Sequence, residues 1–209
     1  MYVGASIWGN PKALVLGEND TKNSRGNRSE LYQNLPLYID ELTELKGEEL
    51  SSLIYQISSG KQKNRMTSGG NNTERARGKP WKLLSVTTGN CSAIEKVSLY
   101  KAMPKAEAQR MMETKAVRLF DQSKTKYLTD IHAINAETIY GHAGKVYMQY
   151  VIANIDSVKD LLEKVRAKID KAAQLTAENR FWSAGGASTL TGVLIAKKLG
   201  LVDYDTNKL

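Results

Sequence analysis

The chain has 209 residues, 41% of them hydrophobic and 25% charged, enough to build the core of one medium domain or a domain with a lid. A formal net charge of +8 and a pI of about 9.4 favour a polyanionic partner, the plainer alternative being a basic enzyme. The single cysteine, Cys91, excludes an intrachain disulfide, and no apolar run reaches the length of a membrane span.

In chain order, "MYVGASIWGN" is apolar with no capping residue ahead of it. It reads as the end of a helix stopped by Gly9-Asn10-Pro11. It also lacks the charged n-region of a signal peptide, so a soluble cytoplasmic protein is expected. "KALVLG" follows as a short buried strand closed by Gly17. Residues 20–33 are polar and read as a capped helix with its loop. A second strand is expected over 35–40, in "NLPLYIDELTE", where an apolar run ends in two adjacent acids, Asp40 and Glu41.

Leu50, Leu53, Ile54 and Ile57 then recur at helical spacing, and Gly60 ends that helix. Residues 60–80 hold almost no apolar side chains and read as a basic loop carrying Lys61, Lys63, Arg65, Arg75, Arg77 and Lys79. "WKLLSVTTGN" is expected as a third buried strand, opened by a core Trp81 and ending in Thr87, Thr88 and Asn90. Helices are expected over 92–102, broken by Pro104, and over 105–115, with a short strand "AVRLFD" after them. Beyond residue 125 the pattern becomes helical. Val158, Leu161, Leu162, Val165 and Ile169 form one apolar face. "RFWSAGGASTLTGVLIAKKLG" is a second helix rich in small residues, ended by Gly200. The expectation is an α/β fold with a mostly parallel sheet over 1–125 and an α-helical C-terminal lid over 126–209.

In parallel sheets ligands gather at the carboxyl ends of strands. Hydrolysing a nucleoside triphosphate there needs a carboxylate near Mg²⁺, a group orienting the attacking water, and a polar group at the γ-phosphate. Asp40 suits the metal, Glu41 the water, and Asn90 with Thr88 the phosphate end of ATP. Strands also end in acids that are merely solvated. The phosphate-loop pattern G-x-x-x-x-G-K-[ST] is absent, since "SSGKQKN" and "HAGKVYM" lack its Ser or Thr and its first Gly. His132 and His142 have no second ligand at metal-binding spacing, and Cys91 no evident His partner.

The run from "GNPKALVLGENDTKNSRGNRSELYQNLPLYIDELTEL" to "SSGKQKNRM", followed in order by "WKLLSVTTGN", "AVRLFD", "YGHAGKVYMQY" and "RFWSAGGASTLTGVLIAKKLGL", resembles the family called domain of unknown function 927. That family occurs in phage and mobile-element proteins and is described as helicase-like. The resemblance implies a P-loop ATPase core of the additional-strand, catalytic-glutamate type, acting in DNA replication. It implies a chain that starts after the phosphate loop and is inactive alone. It further implies a basic loop facing single-stranded DNA in a homo-oligomeric ring, with no membrane partner. Arg118 is then expected as a finger acting across a subunit boundary, and Arg180, at the start of the last helix, as a second sensor. Arg110 is a further candidate. The alternatives are a non-catalytic DNA-binding remnant or interaction module, and a packaging ATPase.

Overall fold

The computed structural model describes residues 1–17, 20–62, 78–116, 130, 132, 134–203 and 205. They fall into two compact units, one made of Met1–Ala5 with Pro11–Ala108, the other of Ser6–Asn10 with Gln109–Leu209. The boundary expected at 125/126 lies outside the described residues. So do most of the basic loop and, after Ala116, the strand expected over 116–121.

The first unit is built on a parallel sheet of three short strands, β1 (Val15–Leu16), β2 (Leu37–Ile39) and β3 (Ser85–Thr87), in the order β1-β2-β3. Val15 pairs with Tyr38 and Leu16 with Ile39. On the other side Leu37, Tyr38 and Ile39 pair with Ser85, Val86 and Thr87. The central strand is buried on both faces, with Leu37 and Ile39 fully enclosed. That is why its sequence runs apolar without alternation.

Helix α1 covers Tyr2–Ser6 and α2 Pro11–Leu14. "KALVLG" is therefore a helical turn leading into a two-residue strand. Pro11 presets the helical φ at the first position, where no N–H is needed. Helix α3 (Lys22–Tyr32) starts as expected at a capping residue: the Thr21 hydroxyl accepts the Ser24 N–H. Helix α4 (Gly47–Ser59) buries Leu50, Leu53 and Ile54, and Gly60 closes it in the left-handed conformation (φ 69°).

"WKLLSVTTGN" does not form the expected buried strand. Only Ser85–Thr87 pair, and Leu84 and Val86 are 54% and 38% exposed. β3 is an edge of the described sheet, so one of its sides has no strand to cover it. The burial in this segment belongs instead to Trp81, whose indole N–H donates to the Ile57 carbonyl at 2.9 Å while its backbone N–H donates to Gly60. Helix α5 (Ala93–Tyr100) has Ser92 as N-cap and buries Ala93 and Val97. The helix expected over 105–115 shrinks to α6 (Lys105–Ala108), and residues 111–116 have no regular structure. The α6 turn is tied down by Glu107, which is fully enclosed and accepts from the Ser51 hydroxyl at 2.7 Å and from Lys101 at 3.1 Å. Burial alone raises the Glu107 pKa. The bonds from Ser51, its backbone and Lys101 outweigh that and leave it below the ordinary carboxylate value.

The described part of the second unit is helical: α7 (His142–Ala153), α8 (Ile155–Ala172) and α9 (Arg180–Lys198). Ser183, Ala187, Thr191 and Ile195 recur every four residues and are the buried stripe of α9. Ile169 of α8 lies against Gly186 of α9, and Arg166 of α8 donates to the Ser183 hydroxyl at 2.9 Å. Gly144 approaches the Ile7 carbonyl so closely that a Cβ would stand 2.4 Å from that oxygen. Trp8 meets Tyr147 edge-on at 6.3 Å. Helix thus dominates the chain, and the sheet is small but parallel. No helix among the described residues is long and apolar enough to cross a membrane.

Candidate functional site

Side by side in a parallel sheet, β2 and β3 deliver their carboxyl ends to one place. The Asp40 N–H donates to the Leu16 carbonyl at 2.8 Å, which fastens the end of β2 to β1. Thr88 N–H donates to Ile39 at 3.2 Å, and Leu42 N–H to Thr88 at 2.8 Å, which fastens it to β3. Between these ties Glu41 takes the left-handed conformation, φ 54° and ψ 46°. A glutamate there is strained by its Cβ, and it persists because the bonds on either side fix the turn.

The side chains complete the cluster. The Thr88 hydroxyl donates to the Asp40 carboxylate and accepts the Glu41 N–H at 3.3 Å. The Thr43 hydroxyl donates to Glu41 Oε1 at 3.1 Å and accepts the Asn90 N–H at 3.1 Å. Lys96 of α5 donates to the Thr43 carbonyl. Asp40 and Glu41 are half-buried, so both carboxylates still reach solvent.

Of the residues singled out in the sequence, Asp40, Glu41 and Thr88 are brought together, and Asn90 joins them through its main chain. Asn90 and Cys91 are exposed. Lys61 and Lys79 are exposed at the two stems of the basic loop, whereas Lys63, Arg65, Arg75, Arg77 and Arg118 lie outside the described residues. Arg180 belongs to the second unit. Its guanidinium sits 5.1 Å from the centre of the Phe181 ring, and that of Arg110 sits 5.4 Å from the same ring. His142 opens α7 behind Gly141 (φ 79°). Among the described residues no group of three or more His, Cys, Asp or Glu is placed to cage a metal ion.

Thr43 is the member of the cluster that the sequence did not mark. Nothing around it differs from an ordinary helix start, because its partners Asn90 and Lys96 come from the far side of a long excursion. Gly89 is explained by the same contact. A Cβ there would stand 2.6 Å from Thr43 Cγ2 and 2.7 Å from its hydroxyl oxygen.

Residues 1–77 match the family model described as Domain of unknown function (DUF927). The resemblance read from the sequence is thereby shown over the segment that carries Asp40 and Glu41. Among solved structures, the chain is similar to that of SCCmec type IV Cch, described as an active helicase, with a TM-score of 0.67 and 18% sequence identity. The likeness covers 97% of this chain and 36% of that one, so the chain spans about a third of the helicase's length. At this identity the likeness is one of fold. No curated protein matches the chain.

Proposed function

We propose that this chain supplies the hydrolytic strand ends and a DNA-contacting loop of a helicase-type ATPase. The observation that carries the reading is the convergence of Asp40, Glu41, Thr88 and the Asn90 main chain at the carboxyl ends of adjacent parallel strands. The DUF927 match and the fold shared with a helicase support it.

The donor set fits Mg²⁺ in the manner usual for phosphate chemistry. One carboxylate and a neighbouring hydroxyl are hard oxygen groups, and the ion keeps its remaining positions for water and phosphate oxygens. Asp40 would hold the ion, through water, beside Thr88. Bound there, Mg²⁺ would neutralise charge on the β- and γ-phosphates of ATP. Glu41 would orient a water for attack on the γ-phosphorus and take its proton as the bond to the β-phosphate oxygen breaks, giving ADP and phosphate. Asn90, with Thr88, would contact the γ-phosphate end. Arg118 and Arg180 are the candidates for neutralising the transition-state charge, Arg118 from a neighbouring subunit of a ring. The sequence contains no phosphate loop, so in this reading that element comes from another segment. The basic loop would track the phosphates of single-stranded DNA.

ATP hydrolysis, measured with and without single-stranded DNA on the protein as its host produces it, tests the reading. DNA should stimulate the wild type, and Glu41→Gln should slow hydrolysis by well over about tenfold. An equal rate in both would leave the acids as a solvated strand end. The second reading would then hold: a non-catalytic DNA-binding module, favoured by the missing phosphate-loop pattern.

A further inference from the structure

We propose that Thr43 is a positioning residue of this site, which holds the Glu41 carboxylate in step with the Asn90 main chain. The inference rests on the ATPase reading above and adds a control element to it.

Thr43 and Thr88 do different things. Thr88 grips the Glu41 backbone N–H and the Asp40 carboxylate, so it fixes the turn. Thr43 grips the Glu41 carboxylate itself, donating to Oε1 at 3.1 Å. A hydroxyl has one proton to give. Thr43 gives it to Glu41 and receives the Asn90 N–H on a lone pair, also at 3.1 Å.

The geometry leaves Thr43 little freedom to do otherwise. Its side chain is β-branched and only 5% exposed, so its rotamer is fixed by packing. Lys96 holds its carbonyl, and the absence of a side chain at Gly89 is what allows residues 89–90 to close on it. The Thr43 hydroxyl is thus a fixed tie between the Asn90 main chain and the Glu41 carboxylate. The main chain of Asn90, the residue proposed to meet the γ-phosphate, is linked by two hydrogen bonds to the group proposed to orient water. In the arrangement seen here the carboxylate is tethered to Thr43 and, through it, to the Asn90 main chain.

The test compares Thr43→Val, Thr43→Ser and Glu41→Gln in the protein as its host produces it. ATP hydrolysis is followed over a range of ATP concentrations, and hydrogen exchange at the Asn90 amide is measured alongside. Thr43→Val keeps the shape and removes the hydroxyl, so kcat should fall by about ten- to a hundredfold with KM for ATP within about twofold. Thr43→Ser should restore both constants to within about twofold of wild type. The Asn90 amide should exchange faster in Thr43→Val and at the wild-type rate in Thr43→Ser. Adding Thr43→Val to Glu41→Gln should cost nothing further, since the two act as one unit.

The proposal is overturned if Thr43→Val keeps the wild-type kcat while Glu41→Gln loses it. It is also overturned if Thr43→Ser is as impaired as Thr43→Val, or if Asn90 exchange is unchanged in Thr43→Val. A Glu41→Gln protein that hydrolyses ATP at the wild-type rate overturns the ATPase reading itself, and this inference with it. Should Thr43→Val fail to fold, Thr43→Ala replaces it in the same comparison.

Discussion

At the residue scale, polar groups define this molecule more sharply than apolar ones. Glu41 in a left-handed turn and Glu107 in full enclosure are both conformations that an acid adopts only when its partners are in place. Glu107 also sets a pH dependence. Its carboxyl is held below the ordinary value of 4.5 because the bonds from Ser51, its backbone and Lys101 outweigh the cost of burial. Lys101 is raised in turn, chiefly by its hydrogen bond to Glu107. A depressed carboxylate stabilises the fold above its unfolded pKa, and that contribution is lost as the pH falls through the folded one. Thermal unfolding should therefore show the wild type losing stability below about pH 4.5 more steeply than Glu107→Gln does. Parallel curves for the two proteins would mean that the Ser51–Glu107–Lys101 group is not what secures α6.

At the element scale, α4 is the keystone of the first unit. Its apolar stripe of Leu50, Leu53 and Ile54 was readable from spacing alone, and Leu50 is completely buried. Leu50→Ala should cost about 2–5 kcal/mol, the range for a fully packed leucine whose site cannot collapse. Urea unfolding would measure it, and a loss below about 1 kcal/mol would show that neighbouring chains fill the space. β3 illustrates the opposite case. Its apolar sequence suggested a buried strand, yet Leu84 and Val86 are exposed, and the strand lies at an edge of the described sheet. Which strand occupies an edge depends on pairing across the sheet, and periodicity within one strand carries no record of it. The contraction of the 105–115 helix to Lys105–Ala108 has a comparable cause. α6 is held by Glu107 reaching Ser51 of α4, a contact 56 residues away.

At the scale of the whole molecule, the charge of +8 bears on the proposed contact with DNA. If Lys61, Lys63, Arg65, Arg75 and Arg77 each neutralise a phosphate of single-stranded DNA, the logarithm of the binding constant should fall with the logarithm of salt at a slope of about −3.5. Replacing Arg75 and Arg77 by alanine should flatten that slope by about 1.4 and weaken binding to all sequences alike. Fluorescence anisotropy with a labelled oligonucleotide across salt concentrations would measure both. An unchanged slope would remove the loop from the DNA-binding surface.

The sequence by itself determined which stretches fold: the capped helix within 20–33, the helix start near residue 92, the glycine stops at Gly60 and Gly200, the stripe of α4, the small-residue helix α9 and the parallel connection of the strands. These are local, because caps, stops and periodicities act within a few residues of the chain. It also marked Asp40, Glu41 and Thr88, since a strand that ends in acids is unusual enough to notice. Tertiary structure alone decided that Thr43 joins them, that Gly89 must lack a side chain, that Glu107 is enclosed, and that Leu84 and Val86 of β3 are exposed. The contacts of Thr43 with Asn90 and Gly89 and of Glu107 with Ser51 join residues more than 40 apart in the chain, and contacts of that reach leave no trace in spacing.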